Sequence, residues 1–418
     1  MCFFNRMHAA ILTLGLVIFL GHLLSALFRR TRIPDVLLLV GLGIALGPVG
    51  LHWVMREDFG RVGPVLTSIA LIVILFEGGL GLSVASLRKG LVDTSALTFA
   101  SAAATMALVA YLAQDHIGFW PALILGGILS GTSSAVVLPM VAALPLHERS
   151  KTVLALESAL TDVLTIVVPF GLLPLALGGE MSGLDLARDV TVKPIMAAIL
   201  GIAGGIVWLY LQSGARRLPH FFSAVFAFVF VLYGASEVME FSGAVTALVA
   251  GVVISNPPRF LRERLQRAAE VEGRAVGEAI SAFDRSIYAE VVFLMKLFFF
   301  VYLGLTLQFE SARPYVVAGT LVAAIYAART VLTRFTFPRE LPARDAGVAA
   351  VMAPKGLAAA VIASAVAEQL PEIGPQLKEL TFAVVLVSIV ATSVLVPLVD
   401  VPGVRGVVGW WFGGYRPR

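Results

Sequence analysis

Apolar segments recur along almost the entire chain, at 9–28, 34–54, 64–83, 92–113, 119–143, 153–177, 193–212, 220–239, 243–256, 288–308, 315–333, 345–368 and 380–399. Most of them match the roughly 20 residues that an α-helix needs to cross the hydrocarbon core of a bilayer. With 58% of the 418 residues apolar and only 14% charged, too little polar surface is available to coat a water-soluble globule. The expectation is an all-α polytopic membrane protein with about 13 transmembrane helices. Segment 243–256 is short for a complete crossing and ends at Asn256-Pro257-Pro258, where proline stops a helix.

The basic residues test that count. With the N-terminus outside, 21 of the 31 Lys and Arg fall in loops assigned to the cytoplasm and 7 on the other side. The remaining 3, Lys296, Arg329 and Lys355, lie within spans. A bias kept across successive loops is what the positive-inside rule expects, and one span too many or too few would scramble it. The chain therefore reads as N-out and C-in. Only Arg6 precedes the first apolar run and no cleavage site follows, so that run reads as a spanning helix.

Loop charges that orient the chain also account for its net charge of +4, so no nucleic-acid partner is implied. The single cysteine, Cys2, excludes a disulfide framework, and six scattered histidines give no zinc spacing. No cofactor is expected. The longest hydrophilic segment, 257–287, is Arg/Glu-rich with heptad-like Leu261, Leu265, Ala268 and Val271, and reads as a cytoplasmic connector. The stretch after 400 is short for a regulatory domain. Residues 1–418 thus read as one transmembrane domain: a first repeat at about 9–177, a linker helix at about 193–212 and a second repeat at about 220–400.

Within the sixth segment stands Leu156-Glu157-Ser158-Ala159-Leu160-Thr161-Asp162. Ionisable groups at bilayer depth cost roughly 2.5–3.5 kcal/mol on insertion scales, and persist mainly where they bind ions, carry protons or neutralise a partner. Ser158 and Asp162 share one helix face at i, i+4, and Glu157 and Thr161 share the next. The two carboxylates can therefore hold different partners. A buried carboxylate either meets a cation or takes up a proton, and an exchanger needs that competition. Arg329, in an otherwise apolar helix, is the natural partner for one of them, whereas Lys296 lies near a span end where it can snorkel. Glu77, in Leu75-Phe76-Glu77-Gly78-Gly79-Leu80, has no assigned role, and Asp35 suits a helix N-terminus.

Two spans carry helix-disrupting chemistry in corresponding places. The fifth contains Gly131-Thr132-Ser133-Ser134 with Pro139 beyond, and the twelfth contains Pro354-Lys355-Gly356. Small residues also mark close helix packing, so either span alone is equivocal. Paired interruptions, one in each half, point to a transporter site built from inverted repeats. Lys355 is placed to balance the negative helix ends at such a crossing.

Taken together, these motifs resemble the monovalent cation:proton antiporter superfamily over nearly the whole chain. The resemblance rests on Arg32-Ile33-Pro34 through Gly47-Pro48, on Leu75 to Leu80, on Phe298-Phe299-Phe300-Val301-Tyr302-Leu303-Gly304-Leu305, and on Glu157-Ser158 followed by Asp162. The last is similar to the Glu-Ser…Asn-Asp pattern of the sodium/proton exchanger branch, with Thr161 in place of Asn. Thr132-Ser133-Ser134 is closer to the potassium-efflux branch.

The resemblance implies a homodimer of thirteen-helix protomers, in a cell inner membrane, with two crossed broken helices and alternating access. It implies that Asp162 binds the cation or proton with oxygens from Ser158 and Thr132, while Ser133 and Thr161 complete the hydroxyl set. Glu157 would pair with Arg329, and Lys355 would sit at the second break. Na+ or K+ and H+ are the implied partners, with membrane lipid around the bundle. One carboxylate at 161–162, not two, implies electroneutral exchange. The alternative is a sodium-coupled symporter or a channel-like transporter on a related bundle; an enzyme is not expected, because no catalytic set accompanies the intramembrane serines.

Overall fold

The computed structural model describes residues 2–31, 35–54, 62–81, 84–177, 192–215, 221–258, 261, 282–307 and 311–415. These residues form sixteen helices and no strand. Seven segments are long and apolar enough to cross a membrane: Thr94–Ile117, Phe119–Ala143, Glu148–Ala176, Lys193–Leu211, Tyr288–Thr306, Arg313–Thr336 and Gly374–Leu398. Six shorter apolar helices accompany them, at Ile11–Leu24, Val36–Leu46, Ser68–Gly81, Ser223–Val238, Gly243–Ser255 and Leu357–Gln369. The apolar segments read from the sequence overlap these helices, except that 345–368 is divided between a helix at Ala343–Val351 and the one at Leu357–Gln369. Of the hydrophilic segment 257–287, residues 259–260 and 262–281 lie outside the described residues, as do Arg32, Ile33 and Pro34 of the second-span motif.

After α1 (Cys2–Thr31), α2 (Asp35–Leu46) is shorter than its apolar run, because Gly47-Pro48 turns the chain at 47–51. A first group of helices packs around the middle of the molecule: α4 (Val84–Ile117), α5 (Phe119–Ser130), α6 (Ser134–Ala143), α7 (Glu148–Ala176), α12 (Arg313–Thr336), α13 (Ala343–Val351), α14 (Leu357–Gln369) and α15 (Gly374–Leu398). A second group joins α2, α3 (Val62–Gly81), α8 (Lys193–Ala215), α9 (Phe221–Val238), α10 (Gly243–Ser255) and α11 (Ala282–Thr306). The two groups meet where α14 touches α3, α7 touches α10 and α15 touches α2. Ile195, Ile199, Ile202 and Val207 lie exposed along α8, which suits a face turned to lipid.

Two crossings in the second group depend on glycine. A Cβ on Gly304 of α11 would strike the Val40 carbonyl of α2, and one on Gly43 the Val301 carbonyl of α11. Gly79 of α3 and Gly251 of α10 make the same kind of approach, against the carbonyls of Leu248 and Phe76. Lipid offers helices no hydrophobic drive to associate, so close backbone packing must supply it. Gly304→Leu should therefore cost about 1–3 kcal/mol of overpacking and lower the melting temperature in detergent. Gly319→Leu, on a face of α12 with nothing within 4 Å, should leave it unchanged. Equal melting of the two variants would refute this account of the crossing.

The chain after Val401 forms a further helix, α16 (Pro402–Trp411), with no buried residue. Its anchor is Tyr415, whose hydroxyl sits 2.9–3.1 Å from the carbonyl oxygens of Thr333, Phe337 and Arg334. Thr333 and Arg334 are in the last turn of α12, whose final carbonyls have no partner within the helix. Arg334 also lies 5.0 Å over the Trp411 ring.

Candidate functional site

Helix α5 stops at Ser130 and α6 restarts at Ser134, leaving 131–133 extended; α13 stops at Val351 and α14 restarts at Leu357, leaving 352–356 extended. The breaks follow from composition. Pro354 has no N–H to continue a helix, and Gly131 and Gly356 sit where a side chain cannot. A Cβ on Gly131 would overlap the Thr165 hydroxyl, and one on Gly356 the Ser133 hydroxyl. The two extended segments touch directly. Ser133 N–H donates to the Pro354 carbonyl at 2.8 Å, and Lys355 Nζ donates to the Gly131 carbonyl at 3.0 Å. Lys355 N–H is held in turn by Ser388 Oγ at 2.9 Å. An ammonium thus sits at the C-terminal end of α5, where unpaired carbonyls make the local field negative.

Helix α7 presents its two carboxylates to different neighbours. Glu157 is fully buried and meets Arg329 of α12 through two hydrogen bonds of 2.7 Å, from Nη1 to Oε1 and from Nη2 to Oε2. Arg329 Nε donates to the Ala349 carbonyl at 2.9 Å, which ties α12 to α13 as well. Thr132 Oγ1 adds a longer bond to Glu157 Oε1 at 3.3 Å. The bidentate geometry leaves Glu157 neutralised.

Asp162 is half-buried and turns the other way. Its Oδ2 accepts from the Ser134 hydroxyl and, at 3.3 Å, from the Ser134 backbone N–H. Both donors belong to the first residue of α6, where helix N–H groups lack internal acceptors and favour an anion. Among the described residues no Lys, Arg or His lies within ion-pair distance of Asp162.

The hydroxyls expected around Asp162 have other engagements. Ser158 Oγ donates back to the Ala155 carbonyl at 3.0 Å and is completely buried. Thr161 Oγ1 accepts from Thr132 N–H at 2.9 Å and donates to the Ser158 carbonyl at 3.2 Å, so it pins the break to α7. Ser133 packs against Gly356, and its backbone serves the crossing. Ser134 is the residue that sequence reasoning left out. Its signal was available: it is the last of the three hydroxyls that follow Gly131, at the position where a new helix exposes N–H groups. Glu77 of α3, unassigned from sequence, lies with Oε2 3.9 Å from Nζ of Lys296 on α11.

Two interrupted helices crossing inside a helical membrane bundle, with a carboxylate at the crossing, are the architecture of secondary transporters. The chain belongs to the sodium/hydrogen exchanger family: the family model described as "Sodium/hydrogen exchanger, transmembrane" matches residues 15–401. It is 24% identical over 241 residues to the K(+)/H(+) antiporter NhaP2 of Shewanella oneidensis, a match covering 56% of this chain and 42% of that protein. It is 24% identical over 261 residues to sodium/hydrogen exchanger 7 of Arabidopsis thaliana, covering 58% of this chain and 22% of that protein. The match therefore spans less than half the length of these curated relatives. In fold, the chain is similar to the sodium proton antiporter MjNhaP1 of Methanocaldococcus jannaschii, with a TM-score of 0.73 over 93% of this chain and 99% of that one, at 18% identity.

Proposed function

We propose that this protein exchanges a monovalent cation, Na+ or K+, for H+ across a cell inner membrane by alternating access, with Asp162 as the shared binding group. The observation that carries this reading is the contrast between its two α7 carboxylates. Glu157 is neutralised by Arg329 in a direct ion pair, whereas the hydrogen bonds that Asp162 accepts among the described residues come from Ser134, and Lys296 acts on it only from beyond ion-pair distance. A carboxylate held by neutral donors alone can exchange those contacts for a cation or take a proton in their place. Ser134 suits both states. A hydroxyl donates to the empty carboxylate and, rotated, offers a lone pair to a cation. Carboxylate and hydroxyl oxygens are hard ligands that suit Na+ and K+ alike.

Lys355 and Arg329 serve the frame in this reading: one balances the helix ends at the crossing, the other holds α7, α12 and α13 together. The relatives' names support the ion classes, and the match to MjNhaP1 supports the fold on which such exchange runs. The same reading takes the bundle as thirteen crossings in two inverted repeats, N-out and C-in, assembled as a homodimer.

Because Thr161 adds a hydroxyl and no second carboxylate beside Asp162, each cycle moves one proton against one cation. In proteoliposomes, an imposed cation gradient of Na+, K+ or Li+ should then drive proton movement at a rate that a potassium-valinomycin potential does not alter. The K+ arm is run with other means of clamping. A rate that follows the imposed potential would overturn electroneutrality, and no proton movement with any of the three cations would overturn the function.

A further inference from the structure

Helix α16 carries a single charged residue, Arg405, among Val404, Val407, Val408, Trp410 and Trp411. Helical spacing puts Val407 and Trp410 on the side opposite Arg405. One flank of the helix is taken by the bundle. A Cβ on Gly347 of α13 would strike Val408, and the Arg334 guanidinium lies over Trp411. The side of Val407 and Trp410 has no such cover: Val407 is 62% exposed and Trp410 77%. Apolar groups gathered in this way mark a contact surface.

The neighbours of that side indicate what covers it. Along the spanning helix α15, Val390, Val394 and Leu398 recur at four-residue intervals on one side and are exposed, as suits a face turned to hydrocarbon. Val401, Val404 and Val407 continue this exposed apolar row past the end of the span. The charges fit a surface of anions. Arg405 and Arg339 are exposed and make no ion pair among the described residues. Asp400 and Glu340, the acids nearest to them in sequence, are already engaged by Arg344 and Arg149. Apolar residues with tryptophan on one side and a basic residue on the other are the make-up of a helix that lies along a membrane surface.

We propose that α16 lies in the plane of the membrane surface as an interfacial helix, with Val407 and Trp410 among the upper acyl chains and Arg405 at the phosphates of anionic phospholipid. The loop charges make this the cytoplasmic leaflet, whose anionic lipids attract basic residues close to a span. Docking there ties the lipid surface to α13, the first half of the second interrupted helix, at two points. Val408 bears on Gly347, and Asp400, in the turn between α15 and α16, receives two hydrogen bonds of 2.6 and 2.7 Å from Arg344. The proposal stands apart from the exchange reading, and neither test below requires transport.

The whole chain in nanodiscs of mixed phosphatidylcholine and phosphatidylglycerol provides the tests. Cys2→Ser removes its one cysteine, so that a single label can be placed by Val407→Cys or by Gly409→Cys. Gly409 is on the Arg405 side, and a Cβ there meets nothing within 4 Å. A nitroxide at 407 should collide with dissolved oxygen in preference to a water-soluble nickel chelate, and one at 409 should show the opposite preference. A 407 label as open to nickel as the 409 label puts the face in water and overturns the proposal. So does a 407 label closed to both reagents, which means that protein covers the face, whether a second copy or another segment. Without any label, the fluorescence that Trp410→Phe removes should be the part quenched by lipids brominated high in the acyl chain; no quenching of that part again overturns docking. The headgroup is read separately. A fluorophore at 409 should be quenched about fivefold more by a trace of phosphatidylglycerol bearing a nitroxide than by the matching phosphatidylcholine, the enrichment that one arginine gives at an anionic surface. Arg405→Gln should make the two lipids equal. Equal quenching with Arg405 in place refutes anionic selection, and an excess that survives Arg405→Gln takes the phosphate contact away from Arg405.

Discussion

Asp162→Asn should reduce cation-driven proton movement to the level of protein-free vesicles while the protein stays folded. The amide is nearly the same size as the carboxylate, and its oxygen can still accept from the hydroxyl and N–H of Ser134. What it lacks is a titratable proton and a negative charge to hold a cation. No cationic side chain among the described residues pairs with Asp162, so its neutralisation strands no buried charge. The melting temperature should stay near the wild-type value or rise, since a half-buried acid has been removed from a membrane bundle. Exchange is read with an entrapped pH dye after a pulse of Na+, K+ or Li+. Retained exchange in Asp162→Asn would remove Asp162 from the mechanism, and loss accompanied by unfolding would show that the residue holds the bundle together.

Glu157→Gln should do the reverse and act on stability first. Arg329 is 3% exposed and Glu157 fully buried, and their two 2.7 Å bonds join helices that are 172 residues apart in sequence. Removing one member of such a pair leaves a guanidinium in a low-dielectric interior without its counter-charge, at a cost of about 3–5 kcal/mol. The variant should therefore melt well below wild type in detergent and give less monodisperse protein. Adding Arg329→Gln to it should recover part of that loss, because no charge is then left uncompensated. A Glu157→Gln protein that melts like wild type yet transports nothing would make Glu157 a transport group and leave the frame to other contacts.

Some of this arrangement is a local property of the chain and some is not. The helices are legible because apolar run length and loop charge are read directly from residue order, with no tertiary information needed. The breaks are legible for the same reason: Gly131, Pro354 and Gly356 carry their backbone consequences with them wherever the fold puts them. Helix ends were harder to read. Helix α4 begins at Val84, well before its apolar run, and α2 ends at Leu46, before its run does. Hydropathy reports what lipid tolerates, while helix termini are set by where backbone N–H and C=O groups find partners.

The hydroxyls around the crossing show the limit most clearly. Ser158, Thr161, Ser133 and Ser134 are equivalent by composition. Spacing on α7 puts Ser158 on the face of Asp162, yet its hydroxyl is taken by the Ala155 carbonyl one turn earlier. Thr161 is taken by the backbone of Thr132. Ser134 reaches Asp162 across 28 residues because α6 restarts with its N-terminus aimed at α7. Periodicity along one helix cannot say which hydroxyl of another helix arrives, nor which of its bonds it has already made. The hydroxyls of Thr94, Thr98 and Ser101 on α4 are of the same kind: their Thr-x3-Thr-x2-Ser spacing is visible in the sequence, but not that they find no hydrogen-bond partner among the described residues.

By itself, then, the sequence determined a helical membrane bundle, the two places where its helices must break, and two acids in one span that lipid would otherwise exclude. Each follows from the free energy of a residue in its own helix or in lipid, which needs no knowledge of neighbours. Only the tertiary structure decided which acid is neutralised. Glu157 meets the planar fork of Arg329, so its charge is matched, while Asp162 meets the neutral donors of Ser134. Charge compensation acts across a few ångströms of space, and residues 172 apart in the chain come within that distance only when the bundle closes.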